Sequence, residues 1–144
     1  GSPLAEEALS PAIALTHALS TPAPGALHLA GVLSWQDPEE RGRSVQTAQE
    51  YIATVEQRIR ELESTATLVL TSSLIMHLDV AQTLIELAET GAGMEQDTGF
   101  SGCDAIAMAT HGRGGIQPWI MGSITERVLG ATKLPLLIVR SKRT

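Results

Sequence analysis

The chain is 144 residues long, carries a formal charge of −6 and has only 3% aromatic residues; its length suits one globular domain that buries roughly two-thirds of its unfolded surface. The acidic balance argues against a nucleic-acid partner, which calls for a basic surface to neutralise phosphates and for aromatic platforms to stack bases. A single cysteine, Cys103, excludes an internal disulfide framework, and with no run of about eighteen apolar residues and no charged-then-apolar leader in the chain, the expectation is a soluble, cytoplasmic protein away from any membrane.

Ser2, Pro3, Glu6 and Glu7 make a helix start, and Leu4, Ala8, Ala12, Leu15 and Leu19 continue it at helical spacing, with a kink expected at Pro11. A Pro/Gly turn ending at Gly25 leads to an apolar strand, Ala26–Leu33, and then a polar loop from Ser34 to about Arg43. The second helix, near Val45–Glu63, sets Ala48, Ile52, Val55, Ile59 and Leu62 on one core-facing stripe. Thr67–Ile75 reads as a strand. Asp79 is a good cap for a third helix that stops at Gly91. After a polar, glycine-containing loop come a strand over Asp104–Ala109, a helix from Ser123 to about Thr132, and a last strand, Leu134–Arg140.

Helices and strands therefore alternate, and the strands are near-continuously apolar. This pattern predicts an α/β fold with a parallel open sheet covered by helices, in which ligands bind beyond the carboxyl ends of the strands. One such end, Met108–Thr125, is rich in glycine. Glycines let a backbone approach a phosphate closely, and a helix start favours negative charge. Neither common phosphate loop fits: no lysine lies between Ala92 and Ala131, and Gln117 stands where the dinucleotide fingerprint needs its third glycine.

The spacing that remains, Ala109-x-x-Gly112, nine residues, then Gly122-Ser123, resembles the universal stress protein family, whose ATP-binding members carry G-x-x-G, nine residues, G-[ST]. The flanks Asp104–Met108, Glu126–Leu129 and Pro135–Arg140 resemble it too, as does the opening Gly1–Leu9, so the likeness spans nearly the whole chain. It implies a single domain over residues 1–144 with a Rossmann-like sheet of the adenine nucleotide alpha hydrolase kind, strand order 3-2-1-4-5. It further implies ATP, or AMP or ADP, with or without Mg. Gly112, Gly122, Ser123 and Thr125 would surround the phosphates with His111 beside them, and Arg113 and Ile124 would belong to the same cofactor site; Met108 and Ala109 would approach the adenosine, and Val32 would wall the adenine. Dimerisation through the last strand is also implied by the resemblance.

Two departures stand out. Ala109 replaces the motif's first glycine, which adds a methyl where backbone would meet ligand. Family members also begin with a strand ending in an aspartate just before the position of Gly1-Ser2, and that strand would be the central one. Its absence from this sequence leads to the expectation of an incomplete, processed or partner-compensated chain, because two interior strands would otherwise keep unpaired backbone groups.

Each candidate also has a plainer role. Ser123 and Glu126 form an S-x-x-E capping box, so Ser123 can serve its own helix; Thr125 can be a solvated hydroxyl, and Arg113 can pair with a surface carboxylate. His17, His28 and His77 have no metal-ligand spacing, and no metal site is expected. The leading expectation is a nucleotide-binding regulatory module with no catalytic residues, since phosphoryl chemistry calls for a fuller set of charged groups. The alternatives are a slow ATPase and a nucleotide-free dimeric interaction module.

Overall fold

A computed structural model describes residues 3–20, 22–34, 38–62, 68–94, 99–111 and 121–141. Its helices are α1 (Pro3–Glu6), α2 (Leu9–Leu19), α3 (Pro38–Leu62), α4 (Val80–Thr90) and α5 (Ser123–Ala131); its strands are β1 (Gly25–Leu33), β2 (Leu68–Met76), β3 (Ile106–His111) and β4 (Leu136–Ser141). The kink expected at Pro11 is a break one turn upstream, at Glu7–Ala8. Proline offers no N–H to the carbonyl four residues earlier and its ring crowds that group; here that carbonyl belongs to Glu7. The chain divides into two compact units, residues 13–78 and the stretch ending at Ala12 combined with the stretch from Asp79 onward.

In the first unit β1 and β2 run parallel, with Gly25 opposite Leu68 and Leu33 opposite Met76. Parallel neighbours need a crossover, and α3 supplies it, packing on both strands. Ala48, Val55 and Ile59 are buried along one stripe of α3, whereas Leu62, expected in that stripe, is 72% exposed at the helix end. The helix approaches β1 closely at Gly31, where an added Cβ would stand 3.1 Å from Ile52 Cδ1. This helix begins seven residues earlier than its apolar stripe suggests, so the second half of the expected polar loop is helical. Pro38 at the first position and Glu39 and Glu40 behind it form a helix start in their own right.

Away from α3, β1 and β2 share a second face. Ala26 and Ala30 on β1 and Val69 and Thr71 on β2 are exposed there. His28 sits among them, Nδ1 at 2.8 Å from Thr71 Oγ1 and Nε2 at 2.9 Å from Ser73 Oγ. Partial burial lowers the pKa of its imidazole from the ordinary 6.5.

In the second unit β3 and β4 are parallel, from Ile106 opposite Leu136 to His111 opposite Ser141. Ala81 and Ile85 of α4 and Val128 of α5 make a buried cluster on which Ile106, Met108 and Leu136 pack. Asp79 caps α4 by accepting the Gln82 N–H at 3.0 Å, and Gly91 ends it in the left-handed region (φ 72°), its N–H donating to Leu87 O at 2.8 Å. That conformation is open to glycine at little cost. Beyond the cap, Cys103 N–H donates to Ala88 O at 2.6 Å. The Glu89 carboxylate accepts the Lys133 N–H at 2.7 Å and the Thr132 hydroxyl at 3.1 Å; the Lys133 bond is the main reason its pKa lies below the ordinary carboxylate value. At the far end of β4 the buried Ser141 hydroxyl donates to Glu7 Oε1 at 2.8 Å.

The two pairs are the expected second strand with the third and the expected fourth with the fifth. The expected first strand has no counterpart among the described residues. No helix among them is long and apolar enough to cross a membrane.

Candidate functional site

The carboxyl end of β3 and the start of α5 come together through one hydrogen bond: Gly122 N–H donates to Thr110 Oγ1 at 3.3 Å. Thr110 is buried, 7% exposed, so the strand end and the helix start share an interior anchor. Thr110 was not among the residues singled out from the sequence. The signal that would have found it is a β-branched hydroxyl one residue from the end of a strand that empties into glycines.

Gly122 is the N-cap of α5, because its carbonyl accepts the first helical bond, from Glu126 N–H at 2.9 Å. Ser123 therefore occupies the first helical position and not the cap. This corrects the capping-box expectation: the box needs its hydroxyl on the cap residue and its carboxylate three positions later, and here that third position is Thr125. Among the described residues no side chain caps the helix start. A helix leaves its first N–H groups without intrahelical acceptors. The Gly122 N–H is taken by Thr110, and those of Ser123, Ile124 and Thr125 have no intrahelical acceptor at the positive end of the helix dipole.

The glycine at 122 is not required by the chain's own geometry. Its φ of −59° and ψ of 144° suit any residue, and an added Cβ would meet nothing within 4 Å among the described residues. What glycine provides there is a bare backbone with no described residue crowding it, the condition for close approach of an outside oxygen. Around it, Ser123 is exposed, Ile124 is 39% exposed and Thr125 is buried. The plainer reading of Thr125 as a solvated hydroxyl is therefore corrected: this residue is turned inward.

Met108, half-buried, packs on the Ala81–Ile85–Val128 cluster. Ala109 is half-buried opposite Val139, and His111 is the last residue of β3, opposite Ser141. Gly112 and Arg113 lie outside the described residues. Val32 lies near the carboxyl end of β1 in the first unit, opposite Ile75. Among the described residues no group of three or more His, Cys, Asp or Glu side chains is placed to hold a metal ion.

The profile described as the universal stress protein family matches residues 1–140. Similar solved structures include hypothetical protein MJ0577, described as a structural-genomics test case of structure-based assignment of biochemical function; it is 18% identical, with a TM-score of 0.62 over 99% of this chain and 94% of that one. Hypothetical protein PH0823 is 17% identical, with a TM-score of 0.58 and the same coverage. At such identities the likeness establishes the fold alone. A search of curated proteins found no match.

Proposed function

From a chain that belongs to the universal stress protein family, we propose a module that binds the phosphates of an adenine nucleotide, ATP or the related ADP or AMP, at the start of α5. One observation carries this reading: among the described residues no side chain caps the helix start, which lies behind a glycine that the backbone geometry does not call for. Donors without acceptors at a helix N-terminus favour an anion, and the bare Gly122 backbone leaves room for phosphate oxygens. The Ser123 hydroxyl and the Ser123 and Ile124 N–H groups are the donors nearest that space. Met108 and Ala109 would meet a nucleoside through their backbone, and His111, Gly112 and Arg113 follow directly from the same strand end. Magnesium, where present, would arrive on the phosphates, since it is commonly held by a few protein oxygens and the nucleotide itself.

Binding without turnover is the form this function takes, because the candidate set contains no metal-holding carboxylate or catalytic lysine. The response is a change in conformation or in association of a cytoplasmic protein under stress. A homodimer through β4 suits it: Leu136–Val139 are half-buried apolar residues on a strand that pairs on one side only among the described residues, and an apolar strand edge is best covered. The second reading, a nucleotide-free interaction module, draws on the Gly122 N–H, which already has a partner in Thr110.

The test is to heat-denature the purified protein, identify released small molecules by mass spectrometry, and follow thermal stability as ATP is added. An adenine nucleotide and an upward shift are expected. Gly122→Val should keep the stability of the unliganded protein, because its Cβ would meet no described residue within 4 Å, yet lose the ATP shift. No released nucleotide together with no shift in the parent protein would overturn the proposal.

A further inference from the structure

The β1–β2 face turned away from α3 carries a constellation that the nucleotide reading does not use. The parallel register sets His28 opposite Thr71, and Ser73 follows two residues later on the same side of β2. The imidazole is engaged at both nitrogens, with Thr71 Oγ1 at 2.8 Å from Nδ1 and Ser73 Oγ at 2.9 Å from Nε2. A hydroxyl within hydrogen-bond reach of a base, with the base oriented by a third group, is the arrangement of an activated nucleophile. We infer that Ser73 is a nucleophile toward activated acyl esters, with His28 as its general base and Thr71 holding the imidazole in the required tautomer.

Neutral imidazole has one donor and one acceptor nitrogen, and a hydroxyl can play either part. In the tautomer whose Nδ1–H donates to Thr71 Oγ1, the lone pair on Nε2 faces the Ser73 hydroxyl. A purely structural bridge between the strands works in either tautomer; proton abstraction from Ser73 works only in this one. The other residues that β1 and β2 present to this face, Ala26, Ala30, Val32, Val69 and Ile75, carry no charge. Partial burial holds His28 below its ordinary 6.5, so it is neutral and able to accept a proton at pH 7. Exposed Ala26, Ala30 and Thr71 flank the half-buried Ser73 with little side-chain bulk.

In the reaction, Ser73 Oγ forms a new bond to the acyl carbon as Nε2 takes the hydroxyl proton. The bond from acyl carbon to leaving-group oxygen breaks, the leaving group departs with the electron pair, and His28 passes its proton to that group or to water. The product is an O-acyl ester of Ser73. His28 moves a proton and does not stabilise a developing oxyanion, so the acyl donors are those whose leaving groups need little help, such as aryl esters and acyl phosphates.

The full chain is incubated with p-nitrophenyl acetate and followed by intact mass and peptide sequencing. The expected result is one acetyl group on Ser73, acquired at a rate that rises with pH to a plateau whose midpoint lies below 6.5. Ser73→Ala abolishes that adduct, whereas Ser72→Ala, altered on the opposite face of β2, leaves it. His28→Gln slows acetylation about a hundredfold, the usual scale of a general base. Thr71→Val slows it several-fold and Thr71→Ser restores it, with circular dichroism confirming that each variant is folded. Absence of acetyl on Ser73, or an unchanged rate in either folded His28→Gln or folded Thr71→Val, overturns the inference.

Discussion

Asp79 and Arg127 are joined at 2.7 Å through Oδ2 of the carboxylate, while Oδ1 of the same group accepts the Gln82 N–H that caps α4. One side chain thus starts one helix and ties it to the next. The two bonds differ in worth. With side chains 58% and 39% exposed, the ion pair is solvent-screened and contributes little, whereas losing a helix cap costs about 1 kcal/mol even at an exposed site. Asp79→Ala should therefore destabilise the protein by roughly 1 to 2 kcal/mol. Asp79→Asn, which keeps an acceptor for Gln82, and Arg127→Ala should each cost clearly less than Asp79→Ala. Urea unfolding at low and high salt separates these contributions, because only the ion pair responds to screening.

Stability should fall in mild acid through His28. Its folded pKa is lowered from 6.5 by burial, so between 6.5 and the lower folded value the unfolded chain binds the proton first. Stability rises with pH wherever the unfolded state holds more protons. The contribution is therefore complete above 6.5, is lost as pH falls through the folded value, and levels off below it. In the difference between the parent protein and His28→Gln, followed by denaturant unfolding from pH 7.5 to pH 4.5, that slope should be visible; parallel curves would refute it.

Val128 is fully buried in the cluster with Ala81 and Ile85, while its neighbour Leu129 is 49% exposed. Truncating Val128 to alanine leaves a cavity between α4, α5 and the strands they cover and should cost about 2 kcal/mol. Leu129→Ala removes more atoms but should stay within about 0.5 kcal/mol. Thermal unfolding of the two variants tests whether burial, and not side-chain size, sets the cost.

Cys103 should be a slow thiol. Burial raises its pKa above the ordinary 9.0, and the Asp104 charge adds to the rise. Thiolate, the reactive form, is scarce at pH 7 as a result. Iodoacetamide should modify native Cys103 more slowly than the same residue in the urea-unfolded chain, and Asp104→Asn should speed the native reaction. Native labelling as fast as unfolded labelling would contradict this.

The elements that could be read from sequence are those governed by local chemistry. Asp79 and Gly91 bound α4 as expected because a carboxylate acceptor and a left-handed glycine act within one turn of the residues they serve. The start of α3 was hidden because Pro38, Glu39 and Glu40 have the polarity of a loop, although the same residues favour a first helical turn. At α5 the motif was legible but its register was off by one: Gly122 takes the cap position and displaces Ser123 into the helix. Thr110 was missed because its partner is twelve residues away. The His28, Thr71 and Ser73 cluster depends on strand register across separations of 43 and 45 residues, which no local pattern encodes.

The hydrogen bond from Ser141 to Glu7 joins residues 134 positions apart. Closing so long a loop costs more chain entropy than any helix turn or βα unit, so this contact is expected late on the folding path. A contact made that late has its energy on the native side of the folding barrier. Ser141→Ala is therefore expected to accelerate escape from the folded state while leaving the rate of reaching that state nearly unchanged, so the lifetime of the native protein would be held in part by a contact between residues far apart in sequence.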